Sequence, residues 1–406
     1  MGVPAEDGRG LPTRDAGGVR FDEVRLDRRR FLILAGGAAA AVATRSLFAS
    51  RPANAGAPRT VVPLQPWQLP DVSPTDPVMT AKALIAAAIL APSVCNSQPW
   101  RFEVQGNAIR LMGDGTRALP ARDPSRRELM VSLGCALENL LVAARHHGYQ
   151  PLVTYFPHEG SGGVVAEVRL DPAEPLKDAG LFDAITQRRT NRRNYDGRMI
   201  PTAQRALLEA QVGEDSFRVM WLDGEKRLKG FAQLAGDAER ELLDDARLNK
   251  EYLSWLRFSD DDERATGDGE SLDALRVGGP TRWMGRRGFG PEGHLRWGAS
   301  ALADQVHDGV KSAAALCLLA SKSRNDQQRL MGGQIFERMV LKATLLGLAY
   351  QPLNVMVQRE GYRGDLQRSF GLGADEDPIL LMRLGRAKSV DPTPRRALAL
   401  VTTLRA

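Results

Sequence analysis

Residues 91–100 read Ala91-Pro92-Ser93-Val94-Cys95-Asn96-Ser97-Gln98-Pro99-Trp100, and the rest of the chain is organised around this stretch. Pro92 and Pro99 remove backbone donors and helical continuity, so the segment between them is irregular. Ser93, Asn96 and Gln98 supply short polar side chains suited to the polar edge of a planar ligand, and Trp100 an apolar wall or core anchor. On these residues alone, a polar turn leading into a strand is the better account of the stretch.

Working outward, an apolar helix is expected over Met79 to Leu90 and strands over 101–105 and 108–112, with a turn at Gln105-Gly106-Asn107. A long amphipathic helix follows from Arg127 to His147, with Leu133, Leu137, Leu140, Leu141 and Ala144 at helical spacing and Gly148 as its stop. Strands over 152–156 and 164–170 complete an α+β unit. The pattern then repeats. At a constant offset of 199, Gly134 matches Gly333, Leu137 Phe336, Glu138 Glu337, Ala144 Ala343 and Gly148 Gly347. A strand follows each helix, at Glu167 to Leu170 and Leu381 to Leu384, so duplication is the favoured account.

The second copy opens with Leu181 to Tyr195, LFDAITQRRTNRRNY. The loop at 91–100 and this arginine-rich opening resemble, respectively, the flavin-contacting A-P-S-x-x-N-x-Q-P-W loop and the R-R-S-x-R motif of the nitroreductase family. The chain as a whole resembles a tandem, Acg-like member. The resemblance implies an α+β nitroreductase-like fold, with two degenerate repeats forming a pseudo-dimer around one FMN site. The first copy has no arginine motif and the second no proline-rich loop, so one composite site per chain is implied. Carried over by position, Arg188, Thr190 and Arg192 grip the phosphate and ribityl chain. Arg395 or Arg396, in a P-x-x-P-R-R-like end, assists. Pro92, Ser93, Val94, Asn96 and Gln98 hold the flavin ring. Asn354 falls where the family often has an acidic residue near N5.

Other segments set the boundaries. Arg28-Arg29 with Phe31-Leu32, a short apolar run and Ala53-Asn54-Ala55 resemble a twin-arginine export signal over residues 1–55, which carries proteins already folded. The apolar run is too short for a stable membrane span, so membrane contact is expected only during export. Residues 56–77 read as a linker, 78–178 as the first half and 179–406 as the second. From Phe102 to Gly134 is 32 positions and from Phe217 to Gly333 is 116, so the second copy carries about 84 more, much of it in 242–303 with Trp255, Trp283 and Trp297. Such an insertion reads as a lid over the site or as an excursion packing on its own half.

Composition excludes several classes. The 406 residues carry 55 Lys and Arg against 49 Asp and Glu, and the excess lies in short arginine clusters without interleaved aromatics, which argues against nucleic acid and for local phosphate binding. Three scattered cysteines and five histidines without ligand spacing give no disulfide scaffold and no metal site. Cys135 and Cys317 are expected in helices as inert core residues. The fused halves make a monomer sufficient. Two functions stay open: an FMN-dependent oxidoreductase passing hydride through flavin N5 from a small-molecule donor to nitroaromatic or quinone-like acceptors, or an exported protein that binds and sequesters flavin with little turnover.

Overall fold

Alternating and continuous apolar runs build two unlike sheets. The computed structural model describes residues 67–70, 72, 76–157, 163–176, 180–276 and 291–405, with the backbone alone over 291–300. The expected export signal, linker residues 56–66 and Trp283 lie outside the described residues.

The chain runs α1 (Pro77–Ala88), β1 (Trp100–Gln105), β2 (Ala108–Gly113), α2 (Arg127–His146), β3 (Tyr149–Tyr155), β4 (Val164–Pro172), α3 (Leu181–Ile185), α4 (Thr202–Glu209) and β5 (Phe217–Leu222). It continues through α5 (Glu225–Asp244), α6 (Ala246–Ser254), β6 (Leu256–Arg257), α7 (Asp260–Thr266), β7 (Glu270–Ser271) and α8 (Pro291–Lys311). The last part is β8 (Ala315–Ser321), α9 (Asp326–Leu345), β9 (Ala349–Pro352), α10 (Val355–Gln358), α11 (Arg363–Phe370), β10 (Asp377–Gly385) and β11 (Thr402–Leu404). The expected α+β class and most element positions agree, to within a few residues at the ends.

The first sheet has the order β11-β1-β2-β4-β3. Its strands alternate: Ile109 and Leu111 of β2 are buried while their neighbours are less so, which gives one face to the core and one to solvent. The second sheet, β5-β8-β10-β9, differs because β8 and β10 are buried at every position. Ala315, Cys317 and Leu319 join the core that contains α2 and α9, whereas Leu316, Leu318 and Ala320 join Phe231, Ala235 and Leu242 of α5. Cys317 therefore sits on a strand, contrary to the helix expected for it; an apolar run buried on both faces has no period that separates strand from helix. Within the span read from sequence as an insertion, Leu242, Leu243, Tyr252, Leu256 and Leu275 belong to the core over this second face.

At the centre α2 crosses α9 at the two matched glycines. A Cβ on Gly134 would lie 1.9 Å from the Leu330 carbonyl oxygen, and one on Gly333 2.2 Å from that of Val131. The contacts are reciprocal, since Val131 and Leu330 are themselves 199 apart. This is the pattern of an isologous interface, here within one chain. Only glycine permits so close a backbone approach. One helix turn on, Glu138 and Glu337 are both wholly buried. Arg338 donates to Glu138 at 2.9 Å, and Arg188 approaches Glu337 at 3.5 Å.

The chain's end crosses back to the first sheet. β11 pairs in parallel with β1, Phe102 opposite Thr402 and Val104 opposite Leu404, and Arg405 closes on Glu103 at 2.8 Å.

Candidate functional site

The loop between α1 and β1 is irregular, as its two prolines require, and it is held in an uncommon conformation. Cys95, Asn96 and Gln98 have φ of 50°, 48° and 51°. Left-handed backbone at three non-glycine residues within four positions persists only where surrounding contacts over-determine it, and such strain concentrates at functional sites. The restraints come from both halves. Ser93 Oγ accepts from the Gln98 amide at 2.9 Å. The Gly269 amide donates to the Asn96 carbonyl at 3.1 Å, and Asn96 Nδ2 donates to the Gly269 carbonyl at 3.0 Å. Thus the turn before β7 is bonded to the loop before β1.

Facing the loop is the arginine-rich segment. Asn191 N donates to the Tyr350 carbonyl at 2.9 Å, and Thr190 bridges Tyr350, so the segment runs extended beside β9. In extended chain alternate side chains share a face, which puts Arg188, Thr190 and Arg192 together. They line a small cavity of ≈ 60 Å³ with Ser93, Asn96, Arg189, Thr393 and Arg395. Trp67, expected in a linker, is buried there instead. The Arg188, Arg189 and Arg395 guanidiniums lie 5.7, 4.3 and 4.7 Å from its ring centroid. An indole face attracts cations, which is why the tryptophan leaves the linker for this cluster. Burial and then the neighbouring Arg188 push Arg395 down to about 9 and Arg189 to about 10. Arg188 also donates to Tyr350 Oη and to the Leu90 carbonyl, and Arg192 pairs with Glu270. Arg395 Nη1 reaches Asn96 Oδ1 at 3.2 Å.

A larger cavity of ≈ 200 Å³ adjoins it, sharing Pro92, Ser93, Thr190, Arg192 and Glu270. Val94, Cys95 and Asn354 line it, together with Arg122, Glu128, Glu239, Tyr252 and Phe336. Glu128, on the first turn of α2, accepts from Gln358 at 2.5 Å; burial, then the nearby Asp123, raise its carboxyl to about 7. Burial also raises Glu239 and pushes the Cys95 thiol up, which disfavours the thiolate form.

Nine of the eleven residues singled out from sequence line these two cavities. Gln98 and Arg396 line neither. The Gln98 amide group donates to the Gly267 carbonyl at 2.8 Å and accepts from the Arg396 amide at 2.8 Å, while Arg396 Nη1 donates to the Gln98 carbonyl at 3.1 Å. They join the tail, loop and insertion to one another. A polar residue in a loop can turn toward a ligand or toward backbone, and the left-handed φ of Gln98 turns it to backbone. Sequence reasoning missed Trp67, Arg122, Glu128, Glu239 and Glu270. These come from four separate segments and carry no local motif.

No protein-family model matches the chain. It is 28% identical over 331 residues to a putative NAD(P)H nitroreductase of Mycobacterium tuberculosis, covering 79% of this chain and 90% of that protein. It is 26% identical over 345 residues to the putative NAD(P)H nitroreductase acg of the same organism, covering 83% and 99%. Among solved structures it is similar to a putative nitroreductase from Anabaena variabilis (11% identity, TM-score 0.39, 69% of each chain covered). A further similarity is to the FMN-dependent nitroreductase NfnB from Mycobacterium smegmatis in complex with NADPH (16% identity, TM-score 0.32, 56% of this chain and 99% of that one).

Proposed function

We propose that this chain, a relative of nitroreductase-type proteins, is an FMN-dependent oxidoreductase with one composite flavin site built from two fused, diverged halves. The observation that carries the reading is the small cavity where Arg188, Arg189, Arg192 and Arg395 converge with the hydroxyls of Ser93, Thr190 and Thr393. These four guanidiniums outnumber the two carboxylates, Glu270 and Asp391, that line the cavity with them, and Arg395 Nε is buried without a hydrogen-bond partner. A phosphate monoester fits that deficit, because its near-double negative charge offsets the excess and its oxygens accept several N–H bonds.

In this arrangement Arg192 and Arg395 hold the phosphate, while Arg188 braces the cluster through Tyr350 and Glu337. Pro92, Ser93, Val94 and Asn354 form the walls of the larger cavity, where the ring would lie. FMN, when bound, supplies reversible hydride transfer between a reduced nicotinamide donor and an electron-poor acceptor. The chain's own part is to orient both partners over one ring, exclude bulk water and offer protons from groups such as Glu128. The twin-arginine-like leader adds the proposal that the protein is exported folded, with its cofactor already loaded.

Absorbance of purified protein tests the site, since a colourless preparation that takes up no added FMN refutes it. Anaerobic stopped-flow mixing with NADPH or NADH tests turnover. One observation favours the second reading, flavin sequestration: Gly267–Glu270 is hydrogen-bonded to Asn96, Gln98 and Arg192 across the site. Bound flavin left unbleached for minutes by either donor supports that reading over catalysis.

A further inference from the structure

The larger cavity holds a cation that cofactor binding does not use. The Arg122 amide donates to Glu251 Oε2 at 2.8 Å, which ties its main chain to α6, and its guanidinium lies 4.5 Å from the Tyr252 ring centroid. That cation–π contact holds the guanidinium over the ring. Yet its Nε and Nη1 are buried without a hydrogen-bond partner. Buried guanidinium donors without acceptors are costly. Glu239 and Glu128 face the guanidinium and favour its charged form, yet neither accepts a hydrogen bond from Nε or Nη1, and Glu270 is taken by Arg192.

We propose that Arg122 is the recognition cation for the molecule that shares the larger cavity with the cofactor, and that it selects a small planar aromatic bearing a carboxylate. A carboxylate presents two coplanar acceptor oxygens to the planar guanidinium, and a flat ring suits a cavity walled by Val94, Phe336, Pro352 and Leu353. The inference rests on the flavin reading for what else fills the cavity, but the binding it asserts is measurable without turnover.

The test is isothermal titration of the full chain, flavin content first recorded by absorbance, with 4-nitrobenzoate and with neutral nitrobenzene. Wild type should bind the nitrobenzoate at least about tenfold more tightly, the scale of a charge-assisted hydrogen bond. Arg122→Met should erase that preference while keeping flavin content and nitrobenzene affinity. Arg122→Lys, which keeps charge but loses the planar fork, should retain part of it and serves if the methionine variant melts early. Glu239→Gln should tighten nitrobenzoate binding by removing a competing acid. Equal wild-type affinities, an unchanged preference in both Arg122 variants, or flavin loss in a folded Arg122→Met protein would each overturn the proposal. A colourless protein that still discriminates would uphold Arg122 and overturn the flavin site.

Discussion

Replacing Gly134 by alanine puts a methyl group 1.9 Å from the Leu330 carbonyl oxygen and 2.9 Å from the Gly333 Cα, and both neighbours are helix backbone that cannot rotate away. To reach even 3.0 Å from that oxygen, the lower limit of real Cβ contacts, α2 and α9 must separate by roughly 1 Å. Leu137, Leu140, Phe336, Met339 and Val340, all buried along the crossing, would then lose close contact together. Alanine gains about 1 kcal/mol of intrinsic helix preference over glycine, whereas overpacking a core costs about 1–3 kcal/mol and more where backbone is displaced. The net expectation is a loss of about 2 kcal/mol or more in urea denaturation. Gly333→Ala, whose Cβ would meet the Val131 carbonyl oxygen at 2.2 Å, should lose a similar amount. The double variant should lose less than the sum, because the helices need be forced apart only once. Gly230 on α5 is the internal control: a Cβ there meets nothing within 4 Å, so Gly230→Ala should stabilise by up to about 1 kcal/mol. A Gly134→Ala protein as stable as Gly230→Ala would refute the close crossing.

Glu128 carries the pH prediction. Its carboxyl rises from 4.5 to about 7, so between those values the folded chain holds more protons than the unfolded one and stability falls as pH increases. Glu128→Gln removes that loss, worth at most about 3 kcal/mol, and parallel stability curves for variant and wild type from pH 4.5 to 7.5 would contradict it. Arg395→Met should weaken FMN about 10- to 100-fold by fluorescence titration, and should abolish any rise in melting temperature that inorganic phosphate gives wild type at matched ionic strength. If phosphate protects both proteins equally, Arg395 is not the anion's partner. Gln98→Ala leaves the buried Gly267 carbonyl and Arg396 amide without their partner, for about 1–3 kcal/mol of stability. The folded remainder should still bind FMN; a stable variant with no flavin would restore Gln98 as a ligand.

Much of this architecture is legible in the chain because local chemistry dictates it. Prolines break the loop, Gly148 and Gly347 mark the helix stops, and a repeat offset aligns the two central helices. What is not legible depends on distance. Nothing near Arg122, Glu128 or Glu239 announces that α2, α5 and α6 bring them to one cavity. Trp67 reads as linker until three guanidiniums are seen around it. Gln98 and Arg396 have the polar character expected of ligands, and in the fold they bond to each other. The continuous apolar β8 hides its period because both of its faces are covered.

The parallel seating of β11 against β1 has a bearing on biosynthesis. Without residues 402–404 the β1 strand keeps a raw edge, so a segment made early is covered only by one that lies far along the chain. Deleting residues 402–405 should therefore unsettle the sheet built from residues 100–172.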